Sequence, residues 1–201
     1  MQQQSKDFIK ETLYIVILSL VIVLPIRAFI AQPYIVSGAS MDNTFQNGNY
    51  LIVDEISYRF QEPKRGEVIV LKVPSKGLEM QNLPQNKTVY YIKRIIGLPG
   101  ETVVLDGPRV AIINPQHPDG MTLKETYLDP NNIGGATNMR ITLKKDEYFV
   151  LGDNRKVSAD SRMWGTLPRN DIVGRVLFRL YPFNTLSILP AEARYDESSK
   201  L

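Results

Sequence analysis

The chain has 201 residues, enough for a terminal anchor and one domain with a substantial core. Its net charge of +3 is small and its basic residues are scattered, which argues against nucleic-acid binding. The absence of cysteine excludes disulfides, thiol catalysis and thiolate metal sites. The single histidine, His117, lies in a turn-rich run, which disfavours a Ser-His-Asp triad and a histidine zinc site. We expect neither a metal nor an organic cofactor.

An apolar segment follows the polar N-terminal tail, residues 1–11. Thr12 to Ile26 carries no charge, and apolar character resumes after Arg27. A membrane-spanning helix needs about 20 apolar residues, a length that 12–31 reaches if Arg27 extends toward the headgroups. Leu13–Leu24 lacks the polar face of a helix packed on a core, and Arg27 argues against a cleaved signal sequence. We expect an uncleaved single transmembrane anchor over 12–31.

The sequence from residue 32 to residue 190 has the pattern of a mainly β domain. Short runs rich in Val, Ile, Tyr and Phe alternate with Gly, Pro, Asn and Asp. The predicted strands are Asn49–Asp54, Glu67–Val73, Thr88–Ile96, Glu101–Leu105, Glu147–Leu151 and Asp171–Leu180. Two polar, turn-rich stretches, 75–87 and 114–138, are predicted surface excursions, and 191–201 is a predicted disordered polar tail.

Two residues in this domain suggest nucleophilic chemistry. Ser40 lies in a turn of small residues, within about 30–35 Å of the apolar segment along the chain, and so close to any membrane surface. A serine needs a neighbouring base to act as a nucleophile. Lys93 shares a strand face with Val89, Tyr91 and Ile95, and burial there would lower the pKa of its amine enough for it to act as a base. On the strand pattern alone, an exposed edge position for Lys93 is the simpler interpretation.

A third segment, Gly152–Gly165, concentrates acids, bases and serines after an apolar strand. Taken alone, this composition is typical of a solvated turn. Its functional interpretation is a loop that supports the site. In that case the Ser158 hydroxyl holds the lysine ammonium, and an Asp160–Arg162 ion pair braces the loop.

Four segments in this order resemble bacterial type I signal peptidases, the membrane-bound Ser-Lys proteases of peptidase family S26. They are Ser37–Met41 with Thr44, Lys64–Val68, Tyr91–Glu101, and Gly152–Arg155 continuing to Ser158–Arg162 and Trp164-Gly165. Each motif is weak by itself, but the ordered set is highly specific and covers most of residues 12–182.

The resemblance implies a signal-peptidase-type β-rich catalytic domain with a Ser-Lys dyad. Ser40 would be the nucleophile and Lys93 the general base, acting through an acyl-enzyme. The supporting residues would be Ser158, Asp160, Arg162 and Asp153. Shallow apolar pockets that admit small side chains, as in Ala-X-Ala cleavage sites, would include Val36, Met41, Tyr91 and Ile92.

The resemblance also implies partners and location. Exported preproteins would be the substrates, the lipid bilayer would hold the anchor, and a monomeric catalytic domain would lie outside the cytoplasm, with 1–11 inside. The chain departs from the common pattern at three places. Gly38 stands where some members have a serine that completes the oxyanion hole, Asn43 stands where proline is usual, and Lys156-Val157 replaces two short polar residues.

Two other functions share some of these features. Self-cleaving repressors also use a Ser-Lys dyad in a β-rich fold, but they carry a DNA-binding helical domain where this chain has an apolar segment. A membrane-tethered β domain that binds without cleaving would not need both Ser40 and Lys93. Removal of signal peptides is therefore the favoured prediction.

Overall fold

The structure, a computed structural model, describes residues 2–25, 31–132, 138–190, 192, 193 and 195. Its α-helices are α1 Gln2–Pro25, α2 Ser75–Met80 and α3 Ser161–Trp164. Its strands are β1 Ala31–Ile35, β2 Tyr50–Asp54, β3 Val68–Lys72, β4 Tyr90–Gly97, β5 Thr102–Asp106, β6 Arg109–Asn114, β7 His117–Thr122, β8 Met139–Thr142, β9 Glu147–Leu151, β10 Leu167–Pro168, β11 Ile172–Tyr181 and β12 Ser187–Ile188. The domain after α1 is mainly β, as the sequence predicts.

The strands form two antiparallel sheets. The larger has the order β1-β2-β11-β3-β4-β9-β10, with β12 paired to β11, and the smaller has the order β7-β6-β5-β8. Strand β4 therefore lies inside the larger sheet, between β3 and β9. A strand with neighbours on both edges is well suited to hold a side chain away from water.

Three apolar clusters form the core. One lies around Ile69, Ile95 and Tyr148, a second around Ile96, Val103 and Phe149, and a third around Met41, Phe45 and Val68. Consecutive residues of β4 belong to different clusters, since Ile95 is in the first and Ile96 is in the second. Because successive strand residues face opposite sides, β4 is covered on both faces.

The N-terminal helix is apolar and uncovered. Every side chain described in it, residues 9–23, is exposed. Within the part of the chain that the structure describes, no helix combines the length and the apolar character required to cross a membrane. The predicted transmembrane span is thus not confirmed, and its far end, residues 26–30 with Arg27, lies outside the described residues.

Both predicted surface excursions contribute to the folded core. The first contains α2, where Gly77 and Leu78 are buried. The second contains β7 and the buried Met121 and Leu123, while 133–137 lies outside the described residues. In both stretches a minority of apolar residues among turn formers is buried by contacts with distant parts of the chain.

The predicted disordered tail is wrong at Tyr195. The Tyr195 ring packs against the second cluster, and its hydroxyl lies 2.9 Å from that of Tyr127. Ala193 N donates to the Gly66 carbonyl at 3.2 Å. The other tail residues, except Glu192, lie outside the described residues.

Candidate active site

Ser40 lies in the turn that follows β1, residues 38–45, which is called the serine turn below. The turn is closed by hydrogen bonds from Thr44 N and Phe45 N to the Met41 carbonyl, at 3.0 and 2.8 Å. The side chains of Met41 and Phe45 are buried in the third cluster. Asn154 N donates to the Ser40 carbonyl at 3.0 Å, which ties the turn to the loop after β9. The position of Ser40 is therefore fixed by the buried residues that follow it and by the hydrogen bond from Asn154.

Lys93 lies on β4 with its amine against Ser40. Its Nζ donates to Ser40 Oγ and to the Ile92 carbonyl, both at 2.8 Å, and only 1% of the residue is exposed. The exposed edge position that the strand pattern favoured is thus wrong. Both edges of β4 are occupied by other strands, which a single strand's pattern does not report.

Burial lowers the pKa of the Lys93 ammonium to about 8, because water no longer solvates the charged form. The carboxylates of Asp160 and Asp153 act in the opposite direction, and the Arg162 guanidinium adds to the lowering. The Tyr91 ring also faces the amine, with Nζ 4.9 Å from the ring centroid. The amine is thus close to the range in which it exchanges protons at neutral pH.

Asp153 connects the serine turn to a buried arginine. Its carboxylate accepts two hydrogen bonds from Arg94, at 2.9 and 2.6 Å, and one from Thr44 Oγ1 at 2.5 Å. The Arg94 guanidinium stacks on the Tyr127 ring at 3.8 Å. Arg94 extends from β4 opposite to Lys93, as the strand alternation predicts, yet it is fully buried. This buried, bidentate ion pair therefore ties β4 to the loop that follows β9.

The charged residues Asp153, Arg155 and Asp160 of the loop between β9 and β10 are buried, so the interpretation of this loop as a solvated turn is wrong. Asp160 is 0% exposed and caps α3, accepting from Arg162 N, while its Oδ2 accepts from Gly152 N at 3.0 Å. The Asp160–Arg162 ion pair is formed, with Nη2 2.7 Å from Oδ2. The supporting functions of Asp153, Asp160 and Arg162 stay predictions, but all three contribute charge around Lys93.

Ser158 is placed differently from the prediction. Its hydroxyl is buried and has no hydrogen-bond partner among the described residues, so the expected hydrogen bond to Lys93 is not formed. The hydroxyl lies against Gly152, where a Cβ would overlap it and would come within 2.5 Å of the Ser40 carbonyl oxygen. Ser158 and Ser40 therefore meet at a point where only glycine fits.

A cleft of about 410 Å³ opens over the Ser40–Lys93 pair. The four residues predicted for the substrate pockets, Val36, Met41, Tyr91 and Ile92, all line it. Val157, one of the departures from the family pattern, is 61% exposed and also lines it. The cleft thus brings together residues from β1, the serine turn, β4 and the loop before α3.

Sequence reasoning missed two residues of this region. The first is Arg94, to which the sequence pattern assigns no function, although a charge among Ile92, Ile95 and Ile96 is a signal for a buried partner. Gln81 lines the cleft but lies in the predicted surface excursion, and no local pattern indicates its position.

The β fold, the serine–lysine contact and the cleft together define a β-rich hydrolase. The family model described as "Signal peptidase, peptidase S26" matches residues 9–181. A signal peptidase I from Leptolyngbya laminosa is 40% identical over 180 residues, covering 89% of this chain and 82% of the relative. One from Bacillus licheniformis is 32% identical over 191 residues, covering 90% and 94%. The crystal structure of a signal peptidase I from Enterococcus faecalis V583 has 27% identity and a TM-score of 0.43, covering 58% of this chain and 97% of that one.

The chain therefore belongs to the signal peptidase family, peptidase S26, as a hydrolase of the bacterial type I signal peptidase kind.

Proposed function

We propose that the chain is a membrane-bound serine endopeptidase that removes signal peptides from exported preproteins through a Ser40–Lys93 dyad. The observation that carries the proposal is the 2.8 Å contact between Lys93 Nζ and Ser40 Oγ at the base of a cleft. A buried amine in contact with a hydroxyl is suited to take its proton.

In the first step, neutral Lys93 accepts the Ser40 proton while Ser40 Oγ attacks the scissile carbonyl. With a pKa of about 8, roughly a tenth of the lysines are neutral at pH 7. The Ile92 carbonyl accepts a hydrogen bond from the amine, which keeps Nζ directed at the serine. The protonated lysine then donates to the leaving amine, and water, activated by the same group, hydrolyses the acyl-enzyme.

The negative charge on the tetrahedral intermediate needs hydrogen-bond donors. The Ser40 backbone N–H is suitable because it donates to no acceptor among the residues that the structure describes. Gly38 has no side-chain hydroxyl, and its N–H donates to Asn47 Oδ1 at 3.1 Å. We therefore assign one hydrogen-bond donor to the oxyanion, the backbone N–H of Ser40.

The cleft supports a preference for small side chains before the cut. Its wall includes Val36, Met41, Tyr91 and Ile92, of which Val36 and Met41 are nearly inaccessible to water. Shallow apolar walls accommodate alanine, and larger side chains would have to displace packed atoms. We propose Ala-X-Ala sites in preproteins as the substrates.

The test is cleavage of a preprotein bearing an Ala-X-Ala site by the detergent-solubilised chain, followed by sequencing of the new N-terminus. We expect cleavage at that site by the wild type and a loss of at least about 1,000-fold in Ser40→Ala and in Lys93→Ala. Lys87→Ala, an exposed lysine before the same strand, is the control and should cleave normally. Cleavage that survives Ser40→Ala would overturn the assignment of the nucleophile.

We also propose that 12–31 is the single membrane anchor and that the β domain acts on the extracytoplasmic side. The support is the exposed apolar surface of α1, including Leu18 and Ile22. In vesicle flotation, Leu18→Lys combined with Ile22→Lys should release the protein from lipid, whereas Phe60→Lys, at an exposed phenylalanine of the β domain, should not. Equal flotation of both variants would contradict the anchor.

A further inference from the structure

A short helix outside the dyad forms part of the cleft wall. Helix α2 is held against the core at Gly77, where a Cβ would lie 2.9 Å from Val73 Cγ1 and 3.0 Å from Trp164 Cε3. Leu78, the next residue, is buried in the first cluster. Two adjacent contacts therefore fix α2 relative to the larger sheet.

Gln81 immediately follows α2, lines the cleft and connects the helix to a residue of the cleft wall. Its Nε2 donates to the Gly77 carbonyl at 3.0 Å, and its Oε1 accepts from the Tyr91 hydroxyl at 2.9 Å. Both ends of the amide are used, and exchanging its oxygen and nitrogen would place the oxygen against the Gly77 carbonyl and lose that hydrogen bond. The amide is therefore a directed link from α2 to β4.

Tyr91 is the wall residue that this link holds. Its ring is half-buried between Trp164, at 6.1 Å between centroids, and Lys93, whose Nζ is 4.9 Å from the ring. Tyr91 lies two residues before Lys93 on β4, so both side chains are on the same face of the strand. Because the ring lies beside the amine that contacts Ser40, Tyr91 forms the part of the wall that faces the residue immediately before the cut.

We propose that Gln81 is a specificity-determining residue, which fixes Tyr91 so that the cleft excludes large side chains at the first position before the cut. The inference rests on the proposed function and names a determinant of its substrate preference. Gln81 acts through Tyr91 and is a positioning residue. Without its acceptor, the tyrosine ring is free to turn toward another staggered rotamer and open the wall.

The test compares two preproteins that differ only at the first position before the cut, alanine in one and leucine in the other. We expect Gln81→Leu, which keeps the size of the side chain but removes both hydrogen bonds, to lower the alanine-over-leucine ratio of kcat/KM about tenfold. Gln85→Leu, the same substitution at an exposed glutamine outside the cleft lining, should leave the ratio unchanged.

Tyr91→Phe removes the same hydrogen bond from the other side and should lower the ratio similarly. The double variant should add little, because both substitutions remove one interaction. A purely structural effect of Gln81→Leu would instead reduce cleavage of both preproteins equally, and an unchanged ratio would overturn the inference. A change in selectivity seen only between a second pair of preproteins, which differ at the third position before the cut, would overturn it as well.

A second measurement does not depend on cleavage. In the Ser40→Ala background, the fluorescence of Trp164, the single tryptophan, reports binding of the two matching peptides. Gln81→Leu should reduce the alanine-over-leucine ratio of affinities, and an unchanged ratio would overturn the inference. If wild type cleaves neither preprotein, the proposed function fails, and the peptide series still decides whether Gln81 controls the cleft.

Discussion

Lys93 combines deep burial with an ionisable amine. Burial suits the amine to act as a base, but it also lowers the stability of the folded protein when the amine is charged. The lowered pKa, about 8, means that the folded protein binds its proton less tightly than the unfolded chain does. Below pH 8 both states carry the proton, and the buried charge opposes folding by on the order of 3 kcal/mol. Between pH 8 and pH 10.5, Lys93 loses its proton in the folded protein but keeps it in the unfolded chain. The free-energy cost of burying the charge therefore disappears over this range.

We therefore expect Lys93→Met to be inactive but more stable than wild type at pH 7, with the difference shrinking as pH rises from 8 to 10.5. Urea unfolding followed by Trp164 fluorescence between pH 6 and 11 measures both curves. Wild type should gain stability relative to the variant across this window. Parallel curves would mean that the amine is not perturbed by burial.

Arg162 tunes the same amine from a distance. Its guanidinium lowers the Lys93 pKa, and it also neutralises Asp160, whose carboxylate raises that pKa. In Arg162→Gln both changes favour the ammonium, so the rise of kcat/KM with pH should move to higher pH. The profile is measured with the Ala-X-Ala preprotein between pH 6 and 10. Arg169→Gln, which breaks a more exposed pair with Glu62, should keep the wild-type profile, and an acid shift in Arg162→Gln would refute the argument.

At the scale of elements, the turn after β9 meets the serine turn at Gly152. A Cβ at this position would overlap Ser158 Oγ and approach the Ser40 carbonyl oxygen to 2.5 Å. Because the second neighbour is backbone, it can move only with the serine turn. We expect Gly152→Ala to lower the unfolding free energy by about 1–3 kcal/mol and to reduce kcat more than KM. Urea unfolding and preprotein cleavage test this, and wild-type values in both would show that the two turns are free to separate.

The six predicted strands lie where β2, β3, β4, β5, β9 and β11 are found, since each has enough Val, Ile, Tyr and Phe to be read locally. Strand β1 was missed because it is a five-residue edge strand containing Pro33, and β7 was missed because Pro118 and Gly120 are typical of turns. These two strands form because β2 and β6 supply their hydrogen-bond partners. The local sequence of a strand does not show which other strand will pair with it.

The candidate site, too, has features that local sequence predicts and features that depend on distant residues. Ser40 and Lys93 were identified from chemistry and resemblance, whereas the burial of Lys93 depends on β3 and β9, which are distant in sequence. Gln81 was missed for a similar reason, because its function depends on a hydrogen bond to Tyr91 ten residues away.

At the scale of the whole molecule, Tyr195 is connected to the candidate site by a series of contacts. Tyr195 packs on the core of the smaller sheet and contacts Tyr127, whose ring lies under the Arg94 guanidinium. Arg94 in turn holds Asp153, which accepts from Thr44 in the serine turn. A residue near the end of the chain thus lies at one end of a continuous set of contacts that reaches the candidate nucleophile.

Removing the Tyr195 ring should therefore lower the stability of the whole domain. We expect Tyr195→Ala to lower the unfolding free energy by about 2–3 kcal/mol, through lost packing and the lost hydroxyl contact, and Tyr195→Phe by about 1 kcal/mol. Tyr181→Ala, at a tyrosine that is 52% exposed, is the matched control and should cost less than Tyr195→Ala. Urea unfolding of the three variants measures the differences. If Tyr195→Ala is no more destabilising than Tyr181→Ala, the Tyr195 contact does not stabilise the core, and Arg94 is held without it by contacts that include Asp153, Gly66 and Tyr127.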